Sequence, residues 1–356
     1  MTIYWILFTL PTLFLLCARY YSRRIENILW FGVTTLFIVV LGFRHEVGCD
    51  WYSYTTDLDN IPVHITSLFD YLSWIVQFRE PGYALITWTA YQFNFGIYGV
   101  NLFCAIIFTT GLIFFCRSQP TPWLTLLLAI PYIVIVISMG YTRQATALGI
   151  IFWSLYLVQR NRAVASLILV ACSGAFHKTS LLFLPLFAFF NTKILAKKAL
   201  VIILVLLILI LAFAFRDYVF QQWGTYVLRR SSGAPTGPIF RSIINAVPAV
   251  LFLVLYRRHD TIYPNLEVWL PISLACIVIL ILLPWSPAAA DRLGLYLSPI
   301  QLYFWPRFVT MSNNLNVRSC LLIILISIYA SFLYIWLNFS SHAACWVPYN
   351  NIFFSF

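Results

Sequence analysis

Charged side chains are scarce in this chain: only 9% of its 356 residues are Asp, Glu, Lys or Arg. A soluble globular protein carries about 25%. Hydrophobic residues make up 62% of the sequence, and the mean hydropathy is +0.88. Such a chain cannot cover a water-facing surface, which excludes an ordinary soluble domain and predicts an integral membrane protein.

Familiar site motifs are missing as well. The eight cysteines form no CxxC pair, and most lie in apolar runs as small apolar residues, while Cys49 and Cys345 fall outside these runs and could pair. The sequence has no Gly-rich phosphate loop, GxSxG, HExxH or inverted repeat, so neither a protease nor a transporter has positive support. Net charge +11 would suit nucleic acid, but Lys and Arg cluster between apolar runs as topology signals, so we expect no nucleic-acid partner.

Long apolar runs recur along the chain. A span needs about 20 apolar residues, or fewer when it is untilted or the bilayer is thin. We therefore expect an all-α, polytopic integral membrane helix bundle with about 12 transmembrane helices in a single multi-span domain over residues 1–356. Outer loops at about 44–97 and 216–242 should form a layer with short interfacial helices, and the run 83–95 is expected to be an interfacial or re-entrant helix rather than a span. The predicted spans are 3–18, 28–43, 98–116, 123–140, 144–159, 163–176, 180–190, 199–215, 243–256, 266–284, 292–306 and 319–337.

Basic residues set the expected orientation. Clusters such as Arg23–Arg24 favour the cytoplasmic side, which places both termini and most acidic residues outside. A set of basic residues, nearly all arginine, nevertheless falls outside. Since the arginine fork suits phosphate and carboxylate, this set predicts an anion site, although each arginine alone could pair with an outer acid. The set comprises Arg44, Arg79, Arg143, Lys178, Arg216, Arg229, Arg230, Arg241 and Arg292.

A predicted helical hairpin brings two of these outer positions together. Arg143 opens a helix that runs inward, and the following helix returns the chain outward at His177. The two arms have similar lengths, so Arg143 and His177 should lie at similar depth on neighbouring helices. His177 could then act as a base, or it could be a neutral histidine bonded to a backbone carbonyl.

Two later segments also carry outer charges. Asp291 could cap a helix whose first turn holds Arg292, with Tyr296 on the same face, or Asp291 could simply pair locally with Arg292. The irregular stretch 216–242 contains Arg241 near its end. This stretch could be a lid over an anionic ligand or a mobile loop with solvated charges.

The stretch "FRHEVGCDWYSYTTDLDN" gathers many ionisable groups after an apolar run. Its Asp57–Asp59 "DLD" resembles the metal-binding DxD of nucleotide-sugar transferases, but nucleotide sugars are not available outside the cell. Gly48 permits a sharp turn as the chain leaves the membrane. Asp50 follows that turn, in the same stretch as Arg44 and Tyr54, and is the more interesting carboxylate.

Several motifs occur in a fixed order: "RHEVGCDWYSY", "REPGY" from Arg79, "YTRQATAL" with Arg143 and Gln144, "FHKTSLLFLP", "DRLGLY" and a "WVPYN" tail. In this order they resemble the EpsG-like branch of the Wzy polysaccharide polymerases, which make O-antigen, capsule or exopolysaccharide. The resemblance extends from about residue 30 to residue 350. Cys49 departs from the pattern, since the family more often has a small hydroxyl residue there.

The resemblance implies a glycosyltransferase of the bacterial cytoplasmic membrane whose active site faces the periplasm or exterior. Its donor would be a growing glycan on undecaprenyl diphosphate, and its acceptor a repeat unit on the same lipid. Membrane lipid and a chain-length regulator protein are further candidate partners. No metal and no cofactor are expected, because arginines can carry the charge that grows on the diphosphate.

Residue roles follow from this resemblance and from the outer charges. Arg143 and Arg292 would stabilise the diphosphate, and Asp50 or His177 would be the base. Three alternatives remain. An O-antigen ligase would use similar chemistry, whereas a lipid-linked oligosaccharide flippase would place its cations deep in the spans. A structural scaffold would leave the outer arginines unexplained. The expected substrate-binding residues are Arg44, Tyr54, Arg79, Gln144, Arg241 and Tyr296.

Overall fold

The computed structural model describes residues 1–61, 67–75, 79–188, 236–258, 261–284 and 287–353, and this part of the chain is all-helical, as predicted. By length and composition, its helices Arg23–Gly42, Gly96–Arg117, Pro122–Gly140, Gly237–Arg258 and Leu315–Phe339 can cross a membrane. Four shorter apolar helices accompany them. The predicted total of about 12 spans is not confirmed, and the predicted span 199–215 lies outside the described residues.

The helices are numbered here in chain order. They are α1 (Thr2–Cys17), α2 (Arg23–Gly42), α3 (Trp51–Asp59), α4 (Leu68–Ile75), α5 (Pro81–Gln92), α6 (Gly96–Arg117), α7 (Pro122–Gly140), α8 (Thr142–Gln159), α9 (Ala163–Ser173), α10 (Leu184–Ala188), α11 (Thr236–Leu255), α12 (Leu266–Leu282), α13 (Pro287–Leu297), α14 (Pro299–Thr310) and α15 (Leu315–Phe339). A 3-10 helix, Lys178–Phe183, precedes α10. The short helices α3, α4 and α5 occupy the predicted outer layer at 44–97.

Two predicted spans are not single α-helices. Within α7 the segment Ile130–Ile137 is π-helical, with Pro131 at its start. Short π segments often mark functional sites, and this one lines a groove described below. The predicted span 292–306 is interrupted: α13 ends at Leu297 and α14 begins at Pro299, which has no N–H to donate to the preceding turn.

Glycines bring α6 and α8 into close contact. A Cβ on Gly111 would lie 2.0 Å from the Gly149 carbonyl oxygen, and a Cβ on Gly149 would lie 2.5 Å from Phe108 Cα. Small residues at such a crossing let two helix backbones approach and pack. The α6–α8 pair has one end near Asp50 and the other at Arg117, and we call these the Asp50 end and the Arg117 end.

The C-terminal tail is tied to the loop that precedes α3. Cys49 and Cys345 form a disulfide with a Cα–Cα distance of 5.1 Å, a pairing that the sequence left open. The Gly48 N–H donates to the Cys345 carbonyl (2.7 Å), and the His45 N–H donates to the Asn350 carbonyl (3.0 Å). The loop is therefore fixed by a segment that lies 296 positions later in the chain.

Trp346 anchors the same tail to the bundle. Its indole Nε1 donates to the Ile135 carbonyl of the π segment (2.9 Å), and its own carbonyl accepts from the Tyr4 hydroxyl. Gly140 leaves room for the ring, because a Cβ there would lie 2.5 Å from the indole. The "WVPYN" motif thus joins α1, α7 and the loop before α3.

Candidate functional site

The centre of the Asp50 end is an ion pair between Arg143, at the start of α8, and Glu80, which directly precedes Pro81 and α5. Arg143 Nη1 lies 2.7 Å from Glu80 Oε2, and Glu80 is only 7% exposed. Burial raises the pKa of the Glu80 carboxyl, but the charge of Arg143 and the hydrogen bonds to the carboxylate together outweigh it, so the pKa lies below its usual value. Glu80 is therefore ionised near neutral pH and holds Arg143 in place.

Two neighbouring tyrosine rings lie next to the Arg143 guanidinium. Its central carbon lies 5.9 Å from the Tyr54 ring centroid and 6.0 Å from that of Tyr83, and the two rings are 5.6 Å apart. Arg143 Nε is buried and has no hydrogen-bond partner among the described residues. A buried donor without a partner costs about 1–3 kcal/mol, so holding Arg143 in this position carries a cost in stability.

Asp50 is half-buried directly before α3, and its side chain does not cap that helix. Its carboxyl interacts with Arg143, with Arg292 and with the Tyr54 hydroxyl. Burial raises the pKa of Asp50, and the arginines offset only part of this rise. A carboxylate with a raised pKa is a better proton acceptor than an ordinary aspartate.

His177 is surrounded by neutral polar groups. Its Nδ1 lies 2.5 Å from Thr179 Oγ1 and 2.9 Å from the Tyr296 hydroxyl, and its Nε2 lies 3.3 Å from Gln144 Nε2. Burial lowers the pKa of His177 to about 4, and nearby cations act in the same direction against the carboxylate of Glu80. The imidazole is therefore neutral near pH 7, and both ring nitrogens face protein groups.

A tight backbone contact brings Glu80 and His177 into one site. The Gly82 N–H donates to the Ala175 carbonyl at 2.7 Å. A Cβ on Gly82 would lie 2.8 Å from that same oxygen, so glycine permits the approach. The start of α5 thereby packs on the turn before His177, and the predicted proximity of His177 to Arg143 is observed.

Arg241 pairs with Asp291 at the edge of the site, through Nε and Oδ1. The prediction that Asp291 caps a helix was wrong, because α13 begins four residues earlier, at Pro287. Arg292 is the next residue and is exposed. The predicted lid was partly wrong, because Arg241 lies in α11 rather than in a loop, and the stretch 216–235 lies outside the described residues.

Two predicted substrate-binding arginines contact protein groups instead. Arg79 Nε and Nη2 donate to the Asp57 carboxylate oxygens at 2.6 and 2.7 Å, so the "DLD" aspartate would have to release Arg79 before binding anything else. Arg44 is 2% exposed, and its Nη2 donates to Asn101 Oδ1 (3.0 Å) and Thr142 Oγ1 (2.7 Å). Among the described residues, no three His, Cys, Asp or Glu side chains converge as a metal site requires.

An apolar groove opens beside Arg241 and has a cavity of about 70 Å³. Val136 of the π segment, Phe240 of α11, and Phe332 and Trp336 of α15 form its walls. Arg241 is the charged group in its lining. The groove thus joins an apolar surface to the Arg241–Asp291 pair at the edge of the site.

Sequence reasoning missed three residues of this site, Glu80, Tyr83 and Thr179. Glu80 directly precedes Pro81, and the residue before a proline is usually extended. The "EP" pair therefore indicated that a helix begins at Pro81 with a carboxylate just before it. Thr179 stands two positions after His177, a spacing at which a hydroxyl can reach the ring in a tight turn. Glu80 and Thr179 thus hold Arg143 and His177 in a polar cluster that also includes Asp50.

The EpsG family model matches residues 27–351 of the chain, a range that includes every site residue described above. EpsG is a Wzy-like polymerase family. Comparison with curated proteins and with solved structures gave no match.

Proposed function

This chain belongs to the EpsG family, and from that premise we propose that it is a polysaccharide polymerase of the bacterial cytoplasmic membrane. In this proposal it transfers a growing undecaprenyl-diphosphate-linked glycan to the terminal sugar of a repeat unit on the same lipid. Family membership supports the polymerase class, and the apolar helices support a membrane location. The observation that supports the reaction is that Asp50 is a half-buried carboxyl within electrostatic reach of Arg143 and Arg292.

The proposed step is a displacement at the anomeric carbon of the donor. The acceptor hydroxyl forms the new glycosidic bond, and Asp50 accepts its proton. The bond from the anomeric carbon to the diphosphate oxygen breaks, and the diphosphate leaves with the electron pair. Arg143 and Arg292 stabilise the negative charge that develops on it, through donors already in position.

His177 has a positioning role in this proposal. Its pKa of about 4 makes it a weak base, and its nitrogens already contact Thr179, Tyr296 and Gln144. Asp50 is half-exposed and has a raised pKa, which favours it as the base. His177 then fixes Gln144 and Tyr296 at the wall of the acceptor site.

We assign the groove beside Arg241 to the part of the lipid chain next to the diphosphate. A polyprenyl chain needs an apolar surface near its diphosphate, and exposed Phe240 and Arg241 both line this groove. Arg44 and Arg79 serve the site indirectly, because they tie the loop and α3 to neighbouring elements. This assigns a different role to these two arginines than direct substrate binding.

The disulfide supports an external location for the Asp50 end. Disulfides persist in oxidising compartments outside the cytoplasm. Arg117 and Arg160 lie at the opposite end, as cytoplasmic arginines should. We therefore place the site on the external face of the membrane.

Mass spectrometry of alkylated peptides tests this orientation. Without reduction, Cys49 and Cys345 should stay unmodified by a membrane-permeant alkylating reagent, and after reduction both should react, because the disulfide protects them. Cys172 and Cys320, which are exposed and free, should react in both conditions and serve as the internal control. Full alkylation of Cys49 before reduction would place this end in a reducing compartment and contradict the assignment.

Surface glycans of a deletion strain test the function itself. Loss of a polymerase should remove long chains while single repeat units still reach the surface, because synthesis, export and attachment of the unit are intact. Loss of a ligase or a flippase should leave no units attached. Unchanged chain length in the deletion strain would refute the polymerase proposal, and restoration by the wild-type chain is the control.

A further inference from the structure

A second groove lies at the Arg117 end, far from the candidate active site, between α2 and α6. Its cavity is about 300 Å³, and Asn27, Trp30, Phe31, Phe114 and Arg117 contribute to its lining. Cavities of this size are typical of small-molecule sites. Nothing in the polymerase proposal uses this groove.

The mouth of the groove carries one exposed cation. Arg117 Nη2 donates to Asn27 Oδ1 at 2.6 Å, and the guanidinium carbon lies 5.8 Å from the Trp30 ring centroid. None of the ion pairs formed among the described residues involves Arg117. The nearby Glu26 carboxylate instead accepts from Trp30 Nε1 at 3.4 Å. Arg117 therefore retains N–H groups for an anion.

The walls of the groove are apolar and face the membrane. Phe31 is 74% exposed and Phe114 is 42% exposed. The hydroxyls of Thr34 and Thr110 donate back to carbonyls of their own helices, at 2.6 and 2.7 Å. They therefore add little polarity, and the walls suit hydrocarbon chains better than a water-soluble ligand.

More positive charge surrounds this mouth. Arg23 and Arg24 open α2 at the same end and are exposed. Arg160 lies 5.3 Å over the ring of Tyr156, which in turn lies 5.5 Å from Phe114. Arginines with aromatic rings at the end of a span mark the depth of lipid headgroups.

We propose that this groove binds one anionic phospholipid. Its phosphate lies at Arg117 and the Asn27 amide, and an acyl chain lies along Phe31 and Phe114. The cation favours an anionic lipid over a zwitterionic one, since basic pockets between spans bind such headgroups. The apolar walls favour a lipid over free phosphate. This site is independent of the polymerase proposal and would survive its failure.

Native mass spectrometry of the purified, detergent-solubilised full chain tests the site. Phosphatidylglycerol should remain bound, whereas phosphatidylcholine at the same concentration should not. Arg117→Ala should reduce retained phosphatidylglycerol about fivefold, the effect expected of one cation near a membrane surface. Arg258→Ala, which removes another exposed arginine, is the matched control and should change nothing. Added inorganic phosphate should not displace the lipid.

Specific results would overturn the site. Equal retention of the two lipids, or equal retention of phosphatidylglycerol by Arg117→Ala and wild type, would show that Arg117 does not select an anionic lipid. Displacement by inorganic phosphate would make it a phosphate site rather than a lipid site. The Thr34→Trp change fills the groove. If the protein forms a lipid-free dimer and this change dissociates it, a second copy of the chain occupies the groove instead of a lipid. Melting curves of each variant exclude loss of folding as the cause.

Discussion

Arg143→Ala is expected to reduce polymer formation by about 10²–10³-fold, the typical loss when one preoriented donor to a developing negative charge is removed. Arg143 has the position for this role, next to the rings of Tyr54 and Tyr83 and with Nε free of partners among the described residues. Glycan length on a complemented deletion strain measures the loss. Arg160→Ala, at the opposite end of the same helix, should leave chain length at the wild-type value.

Loss of folding needs a separate control, because Arg143→Ala leaves the Glu80 carboxylate buried without its partner. Breaking a buried pair from one side costs about 3–5 kcal/mol. The double variant Glu80→Gln with Arg143→Gln removes both charges and keeps polar groups of similar size. We expect it to melt near the wild-type temperature and still to make no polymer. Polymer of normal length from this folded variant would refute the role of Arg143.

Local sequence pattern predicted the hairpin that places Arg143 beside His177. Two apolar arms of similar length joined by a charged turn leave little choice about where the chain returns. The sharp turn at Gly48 was also predicted correctly. Its φ is 101°, and a Cβ there would lie 2.2 Å from the Met139 carbonyl oxygen. In both cases the information lies within one short segment of the chain.

Pairings between distant segments could not be predicted in this way. Arg143 pairs with Glu80 and Arg241 with Asp291, although each arginine had other acids available in the sequence. Burial decides such pairs, and burial depends on how the helices pack. Helix packing also explains Arg44, which the sequence predicted to bind substrate but which is buried inside the protein.

Irregular backbone was the second feature that could not be predicted from the sequence. The π segment Ile130–Ile137 follows an ordinary apolar run, and only Pro131 hints at it. The break between α13 and α14 at Pro299 could not be predicted either, because proline in the first turn of a helix and proline inside a span look alike in the sequence. These breaks shape the groove beside Arg241, so the lipid part of the candidate site was beyond sequence reasoning.

Asp50→Asn is expected to reduce polymer formation by about 10²–10⁴-fold, the usual contribution of a general base. The amide keeps the size of the side chain but cannot accept the proton of the acceptor hydroxyl. Polymerisation by purified protein with lipid-linked repeat units measures the rate. Asp59→Asn, which changes the exposed aspartate at the end of the same helix, is the control and should retain the wild-type rate.

The pH dependence separates a base from a structural carboxylate. Asp50 accepts a proton only when ionised, so the wild-type rate should fall as the pH drops through its pKa, which burial holds above the ordinary value of 3.8. The residual rate of Asp50→Asn should lack this acidic limb. Because the pKa of Asp50 is raised in the folded state, the ionised carboxylate destabilises the fold near pH 7. Asp50→Asn should therefore melt at or above the wild-type temperature while losing activity. A variant that loses activity only because it unfolds at a lower temperature would contradict the assignment of Asp50 as the base.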